Sequence, residues 1–302
     1  MTEPRIVTFY LEDGLHRSAR AGRHNFIGKL AGVLEASGYR VDFLPDSDVE
    51  IARSLTRGGW SMFHMAQPTG PRGLTFRRVY HYPFWRIEKR ASRWEWDVAR
   101  ARFEGARIDR ADAERFYGFW RKRLFGEAAA APERAGFVYV PLQGKLLQRR
   151  TFQTMSPIEM LRHTLEQEPE RDILVTLHPG ERYDAEERAA LDALAGGRVT
   201  VAEGMMEEAL ASCDYVVTQN SSAAFNGYFF GKPAVLFAKV DFHHIAASVE
   251  RLGVAAAFEA VRSAEPDYAG YVWWFWQRMS LNAGRPEAER RIRKRLDTHG
   301  WP

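Results

Sequence analysis

The sequence predicts an α/β protein of two domains, each a parallel sheet wrapped by helices, facing one another across a cleft. Three observations predict it. Apolar, β-rich runs alternate with amphipathic segments from Phe137 to Phe237, the pattern of strands joined by crossover helices. A shorter strand–helix–strand pattern opens the chain, over residues 5–44. The length of 302 residues, 45% of them hydrophobic, suits two domains with sizeable cores.

In the first domain, taken as residues 1–130, residues 5–11 read as a buried strand and 22–36 as an amphipathic helix ending near Gly38. Residues 39–44 form the second strand, a helix covers 48–57, and a loop rich in Gly and Pro covers 67–73. Residues 88–104 and 109–124 read as two charged, aromatic helices, and the alanine run before Pro132 reads as a linker. The second domain, 135–265, starts with a strand at 137–142 and a helix at 157–168 capped by Ser156. Strands at 173–177, 198–202, 214–218 and 233–237 then alternate with helices at 184–194, 205–211 and 222–230. Residues 266–302 form a separate C-terminal segment.

Charge is unevenly distributed. Residues 1–134 carry 24 Lys and Arg against 17 Asp and Glu, whereas residues 135–302 carry 19 against 22. The basic half is expected to attract an anionic partner. Most of the excess lies between Arg72 and Arg123, interleaved with Tyr80, Tyr82, Trp85, Trp94, Trp96 and Trp120. Such a mixture suits an anionic glycan, a glycolipid or a membrane surface. Nucleic acid is not expected, because acids are interspersed and no groove-reading motif is present. The plainer alternative is solvated helix faces with their aromatics turned inward.

The single cysteine, Cys213, fits a reducing compartment. With no apolar run long enough to span a bilayer and no secretory leader in view, a cytoplasmic address is expected, peripheral at the inner face of the membrane. The run Tyr271-Val272-Trp273-Trp274-Phe275-Trp276 either rests at a membrane interface or packs inside the protein.

The sequence lacks a phosphate-binding P-loop, a G-x-G-x-x-G turn, an H-E-x-x-H zinc motif and a G-x-S-x-G elbow. Asp241, His243 and His244 are a weak metal pattern, so neither a metal nor a cofactor is expected. Three polar elements stand out instead, each directly after a β-rich run: Glu12-Asp13-Gly14, His178-Pro179 and Asn220-Ser221-Ser222. Ligands of open α/β sheets bind beyond the carboxyl ends of the strands. A carboxylate, an imidazole and a hydroxyl pair in those positions suit a phosphorylated substrate.

The order Val140-Pro141-Leu142-Gln143, Leu177-His178-Pro179, Thr218-Gln219-Asn220-Ser221-Ser222 and Phe230-Gly231-Lys232-Pro233 resembles bacterial capsule polysaccharide biosynthesis proteins of the Kdo-transferase type. It is also similar to bacterial sialyltransferases, which share an acidic-Asp-Gly, a His-Pro and a Ser-Ser motif. The resemblance implies a GT-B fold of two Rossmann-like domains, with a C-terminal helical segment, here 266–302, crossing back to the first domain. It implies a metal-independent glycosyltransferase that moves an acidic sugar, Kdo or sialic-acid-like, from a CMP-sugar donor to a surface or capsular polysaccharide. By the same motifs Asp13 is the general base, His178 assists the departing phosphate, and Ser221 with Ser222 holds that phosphate.

The residues themselves are compatible with these roles. Backbone N–H groups at the start of the helix after Ser221 suit an anion, although ordinary capping by Asn220 or Ser221 accounts for the same pattern. Imidazole donates or accepts a proton near neutrality, so His178 fits a leaving phosphate. Asp13 sits beside Glu12, a second candidate base, and an Asp-Gly turn is its plain alternative. Gln143 and Lys145 follow the first strand of the second domain, where a lysine neutralises phosphate charge. Glu203, after strand 198–202, is expected to hold a ribose or base edge. Two alternatives stay open: a GT-B-like enzyme with another donor, a UDP-sugar or one for pyruvyl transfer, and a non-catalytic glycan-binding assembly protein.

Overall fold

The computed structural model describes residues 4–302. The chain divides into two compact α/β units, one comprising residues up to Ala101 together with Phe275–Pro302, the other Arg102–Trp274.

The first unit begins with β1 (Ile6–Leu11), α1 (Asp13–Arg20), α2 (Asn25–Ala36), β2 (Arg40–Pro45) and α3 (Asp48–Arg53). It continues with β3 (Trp60–His64), β4 (Gly73–Arg78), β5 (Phe84–Glu88) and the single turn α4 (Asp97–Arg100). The second unit holds α5 (Arg110–Phe125), β6 (Phe137–Pro141), α6 (Pro157–Gln167), β7 (Asp172–Leu177), α7 (Ala185–Asp192), β8 (Val199–Glu203) and α8 (Met206–Ser212). It is completed by β9 (Tyr215–Thr218), α9 (Ser222–Gly227), β10 (Ala234–Leu236), β11 (Ala247–Ser248), α10 (Val249–Leu252), α11 (Val254–Arg262) and α12 (Tyr268–Val272). Through a π-helical turn, Trp273–Arg278, the chain returns to the first unit and adds β12 (Leu281–Asn282) and α13 (Ala288–Thr298).

The sheet of the first unit runs β12-β5-β4-β3-β1-β2. Strands β1 to β4 are parallel, and β5 is antiparallel to both β4 and β12. Its core joins Val7, Phe9 and Leu11 of β1 to Phe26, Ile27, Leu30 and Leu34 of α2, and to Phe76 and Trp85. Phe26 stacks on Trp85 with ring centroids 4.6 Å apart. Burying each such side chain contributes about 1.5–3 kcal/mol. Gly59 (φ +91) lets the chain turn into β3, since a Cβ there would lie 2.5 Å from the Ile6 carbonyl oxygen.

The second unit has six parallel strands in the order β11-β10-β9-β6-β7-β8. Read from β8, this is the 3-2-1-4-5-6 order of dinucleotide-binding folds. Local signals place its helices. Ser156 and Glu159 form a reciprocal capping box with Pro157 at the first position of α6. Asp184 and Glu187 do the same for α7.

The structure differs from the sequence expectation in several places. The boundary expected at 130 falls near residue 101, because α5 belongs with the second unit: Tyr117 donates a hydrogen bond to the Tyr228 carbonyl at 2.7 Å, and Phe125 packs on Phe229 and Phe230. The expected alanine linker is part of that packing, with a 3-10 turn over Gly126–Ala129 and Ala129 fully buried. No single helix covers 88–104, a stretch that ends β5 and continues through a 3-10 turn and α4. The residues from Tyr271 to Trp276 are buried apart from half-buried Trp273, which removes the membrane-interface reading of that run. Phe84 stacks on Trp276 at 4.4 Å in the first unit, and Phe103 packs against Trp274 in the second.

Among the described residues no helix is long and apolar enough to cross a membrane. Many cations of the basic stretch are internally engaged. Arg107 pairs with Glu104, Arg110 with Glu114, Arg115 with Asp112, and Arg123 lies over the Trp120 ring. The three ion pairs are exposed, and each is worth little for stability.

Candidate functional site

In the second unit the switch point lies between β6 and β9, and the loops after β6, β7 and β9 form one contiguous rim. The Thr218 hydroxyl donates to the Pro141 carbonyl at 2.9 Å, tying the end of β9 to the end of β6. The Leu142 N–H donates to the Thr176 carbonyl at 2.8 Å, tying β6 to β7. Farther out, Gly144 meets the loop after β7 so closely that a Cβ there would collide with the Glu181 carboxylate. Gln143 and Lys145, His178, and Asn220 with Ser221 and Ser222 all extend from this rim.

The individual side chains differ in what they offer. His178 is exposed, its backbone N–H donates to the Tyr183 hydroxyl at 2.9 Å, and its Nδ1 accepts from the Gly180 N–H at 3.1 Å. Because Nδ1 is the acceptor, a neutral ring carries its proton on Nε2, the nitrogen available to a ligand. Gly180 sets the ring position, since a Cβ there would stand 3.2 Å from His178 Cε1. Ser221 is buried and caps α9, its Oγ accepting from the Ala223 N–H at 3.2 Å, so the hydroxyl proton is free to donate. Ser222, at the first position of α9, is exposed. Helix α9 has only six residues. The expected help from a helix dipole is accordingly small, and hydrogen-bond donors matter more.

Asn220 is buried, Gln143 is half-buried and Lys145 is exposed. Lys145 has φ 64, a left-handed conformation that non-glycine residues adopt at a cost of roughly 1 kcal/mol. The loop that holds it is pinned by the Leu146 N–H, which donates to Glu187 Oε1 at 2.5 Å, and by the Ile158 N–H, which donates to the Leu146 carbonyl at 3.1 Å. Glu203 is placed apart. It ends β8, the outer strand, with β7 between it and β6, and is exposed. Gln219 was not singled out from the sequence. Its Nε2 donates to the Met155 carbonyl at 3.0 Å, while its buried Oε1 has no hydrogen-bond partner among the described residues. Buried amide oxygens are seldom left unpaired, so Gln219 joins the candidates.

In the first unit the switch point lies between β1 and β3. Glu12 and Asp13 follow β1, both exposed, Glu12 at the cap position of α1 and Asp13 in its first turn. The segment is the start of a helix rather than an isolated Asp-Gly turn. The Glu12 carboxylate lies over Gly14, with 3.6 Å between Oε1 and a Cβ built there. His64 ends β3, and Met65 follows with φ 62. His24 caps α2, its Nδ1 accepting from the Ile27 N–H at 3.1 Å. A helix between parallel strands starts at the carboxyl edge of the sheet, so His24, Asn25 and His64 share an edge with Asp13. His64 was missed because β3 was not recognised as a strand.

Burial pulls His64 down to about 4, with nearby Arg77, His24 and Arg78 adding to the effect. His299, whose Nε2 is 3.2 Å from the Ile87 carbonyl, is pulled down to about 4 by burial and by Arg295. An unfolded imidazole titrates near 6.5. Between pH 6.5 and 4 the unfolded state binds protons that the folded state excludes, so their contribution is intact above 6.5 and is lost as the pH falls toward 4. At pH 5 the loss is roughly 2 kcal/mol for His64, and less for the more solvent-screened His299. Urea unfolding at pH 7.5 and 5 measures this difference, and His64→Leu is expected to reduce it.

Among the described residues no group of three or more His, Cys, Asp or Glu side chains is placed to hold a metal ion. His243 Nδ1 lies 2.8 Å from the Val240 carbonyl, and His244 Nδ1 lies 2.9 Å from the Tyr271 hydroxyl.

No protein-family profile matches the chain, and no curated protein sequence is significantly similar to it. Solved structures are similar in fold. Thermosulfurimonas dismutans KpsC, beta Kdo 2,7 transferase, superposes with a TM-score of 0.52 at 11% identity, covering 88% of each chain. The beta Kdo 2,4 transferase of the same organism's KpsC gives 0.47 at 14% identity, over 90% of this chain and 89% of that one. The wall teichoic acid polymerase TagF gives 0.35 at 11% identity, over 98% of this chain and 89% of that one. The first of these likenesses carries the assignment: the chain has a GT-B-like α/β fold with two Rossmann-like units.

Proposed function

We propose that the protein is a glycosyltransferase that moves an acidic sugar, Kdo or sialic-acid-like, from a CMP-sugar donor to a surface or capsular polysaccharide. The observation that carries this reading is the contiguous rim of the second unit. There His178, Ser221, Ser222 and Gln143 follow three adjacent strands around the switch point of a 3-2-1-4-5-6 sheet. The motif resemblance supplies the donor and the sugar, and the shared fold with a Kdo transferase is consistent with both.

In this reading the donor phosphate lies against Ser221 and Ser222, whose hydroxyls donate to it, with Lys145 adding positive charge and Asn220 orienting the nucleotide. His178 Nε2–H donates to the phosphate oxygen on which charge develops as the glycosidic bond breaks. Gln219 Oε1 accepts a donor group of the nucleotide. Glu203, on the outer strand, is the weakest member of the set and is assigned no step. The first unit supplies the acceptor side, with Asp13 taking the acceptor proton and Glu12 beside it. No metal or other cofactor has a step in this mechanism. The protein works in the cytoplasm, and contact with a membrane does not run through the buried residues Trp274, Phe275 and Trp276.

Thermal unfolding with a panel of nucleotides tests the donor. A ligand that binds only the native state raises Tm by mass action. CMP and CDP are expected to raise it, whereas a preference for UDP or GDP would replace the donor and no response at all would favour a non-catalytic glycan-binding protein. The serines are tested separately. Ser221→Ala with Ser222→Ala is expected to weaken CMP binding by about 1.5–3 kcal/mol, the worth of hydrogen bonds to a charged group. Calorimetric titration reads it, and an unchanged affinity would remove the serines from the site.

A further inference from the structure

The first unit contains a basic cavity that none of these roles uses. It lies between β5 and α13, measures about 310 Å³, and is lined by Arg86, Arg278, Arg291, Lys294 and Arg295 with a single carboxylate, Asp97. Buried Glu88 packs behind the lining, 2.6 Å from Arg86 Nη2 and 2.7 Å from Arg295 Nη2, and Arg295 Nη1 lies 2.5 Å from Asp97. Those two carboxylates offset two of the five cations. The lining holds no carboxylate for the other three, although Glu287, outside it, also acts on Arg291.

Their arrangement is fixed at the floor and open at the mouth. Arg291 donates from Nη1 to the Gln277 carbonyl and from Nη2 to the Arg278 carbonyl, at 3.0 Å each. Neutral carbonyls orient the guanidinium without cancelling its charge. Arg86 also donates to the Met279 carbonyl. Holding α13 against the sheet accounts for Arg86, Arg291 and Arg295. It does not account for Arg278 and Lys294, which are exposed at the mouth and whose side chains make no hydrogen bond or ion pair among the described residues.

We propose that this cavity binds a phosphate-bearing ligand, a phosphate or diphosphate group held by Arg278, Arg291 and Lys294. Cations of one sign gathered in a cleft with low-dielectric walls, here Trp85 and Leu281, focus the field on an entering anion. Planar guanidinium donors match phosphate oxygens in pairs, and the lysine adds a mobile point charge. The volume exceeds that of one phosphate and accommodates two. The same chemistry is offered by a free diphosphate and by the headgroup of an anionic lipid.

The test is calorimetric titration of the full chain with inorganic pyrophosphate at pH 7.5 and low salt, with and without CMP. Saturable binding is expected that CMP does not displace, weakened at least about tenfold in Arg278→Ala with Lys294→Ala. Both residues are exposed, so this variant keeps its fold, which its unchanged Tm checks. Because the variant localises the binding, the result does not depend on what the second unit binds. Flotation with phosphatidic acid and phosphatidylcholine vesicles separates the sources. Binding to the former, released by pyrophosphate and lost in the variant, identifies a lipid headgroup, and pyrophosphate binding without vesicle binding identifies a free diphosphate. Absence of saturable pyrophosphate binding, or an affinity unchanged in the variant, overturns the proposal.

Discussion

Replacing His178 with alanine is expected to lower turnover by roughly 10²–10⁴-fold, the range that a positioned proton donor contributes, with CMP affinity reduced much less. The split follows from geometry. Nδ1 is occupied by the Gly180 N–H at 3.1 Å, so only Nε2–H is left to meet the leaving phosphate, and the charge it meets is largest in the transition state. His178→Asn, which keeps an N–H donor but cannot transfer a proton, should fall between alanine and the unmodified chain. Gly180→Ala tests positioning without touching the imidazole. Its Cβ would crowd Cε1 at 3.2 Å and displace the ring by a few tenths of an ångström, for an expected loss of about tenfold in kcat with KM nearly constant. Steady-state transfer assays with calorimetric CMP binding measure both quantities. Equal losses in kcat and in CMP affinity for His178→Ala would make the residue a binding group, and full activity would remove it from the mechanism.

The second unit was legible because its local signals agree with its global fold. Each strand from β6 to β10 is a mostly apolar, β-rich run, and helices between them begin at recognisable caps such as Ser156 with Glu159. The polar motifs then follow from strand ends, so the rim formed by Gln143, His178 and Ser221 could be anticipated. Gln219 could not, because its unpaired Oε1 depends on how the loop at Met155 folds back. The middle of the first unit was illegible for a physical reason. Strands β4 and β5 carry Arg77, Arg78, Arg86 and Glu88, charges that break the apolar pattern of a buried strand. They are strands because Arg86 and Glu88 pair with each other and Glu88 pairs with Arg295, a partner far along the chain. Buried ion pairs of this kind are stable only when every member is present, and sequence periodicity carries no trace of them. Missing β3 to β5 also hid His64, which is half-buried by contacts such as the Phe76 ring 5.2 Å away.

Asp13→Asn is expected to leave CMP binding intact and to lower transfer by roughly 10²–10⁴-fold, because the change removes a proton acceptor while keeping the shape. Position supports Asp13 over Glu12. Asp13 lies in the first turn of α1, directly beyond the carboxyl end of β1 and beside the switch point, whereas the Glu12 carboxylate is turned over Gly14. Glu12→Gln is therefore expected to cost no more than about tenfold, a change in the local field rather than loss of the base. The histidines of the same edge provide the control. His24 is committed through Nδ1 to the start of α2, and burial pulls His64 down to about 4, into the range of an ordinary carboxylate, so substitution rather than a pH profile tells the two bases apart. Transfer rates of the unmodified chain, Asp13→Asn and His64→Gln make that distinction. If Asp13→Asn retains full activity while His64→Gln loses it, the acceptor proton goes to the imidazole at the end of β3. If Glu12→Gln proves the more damaging of the two carboxylate variants, the base moves one residue back.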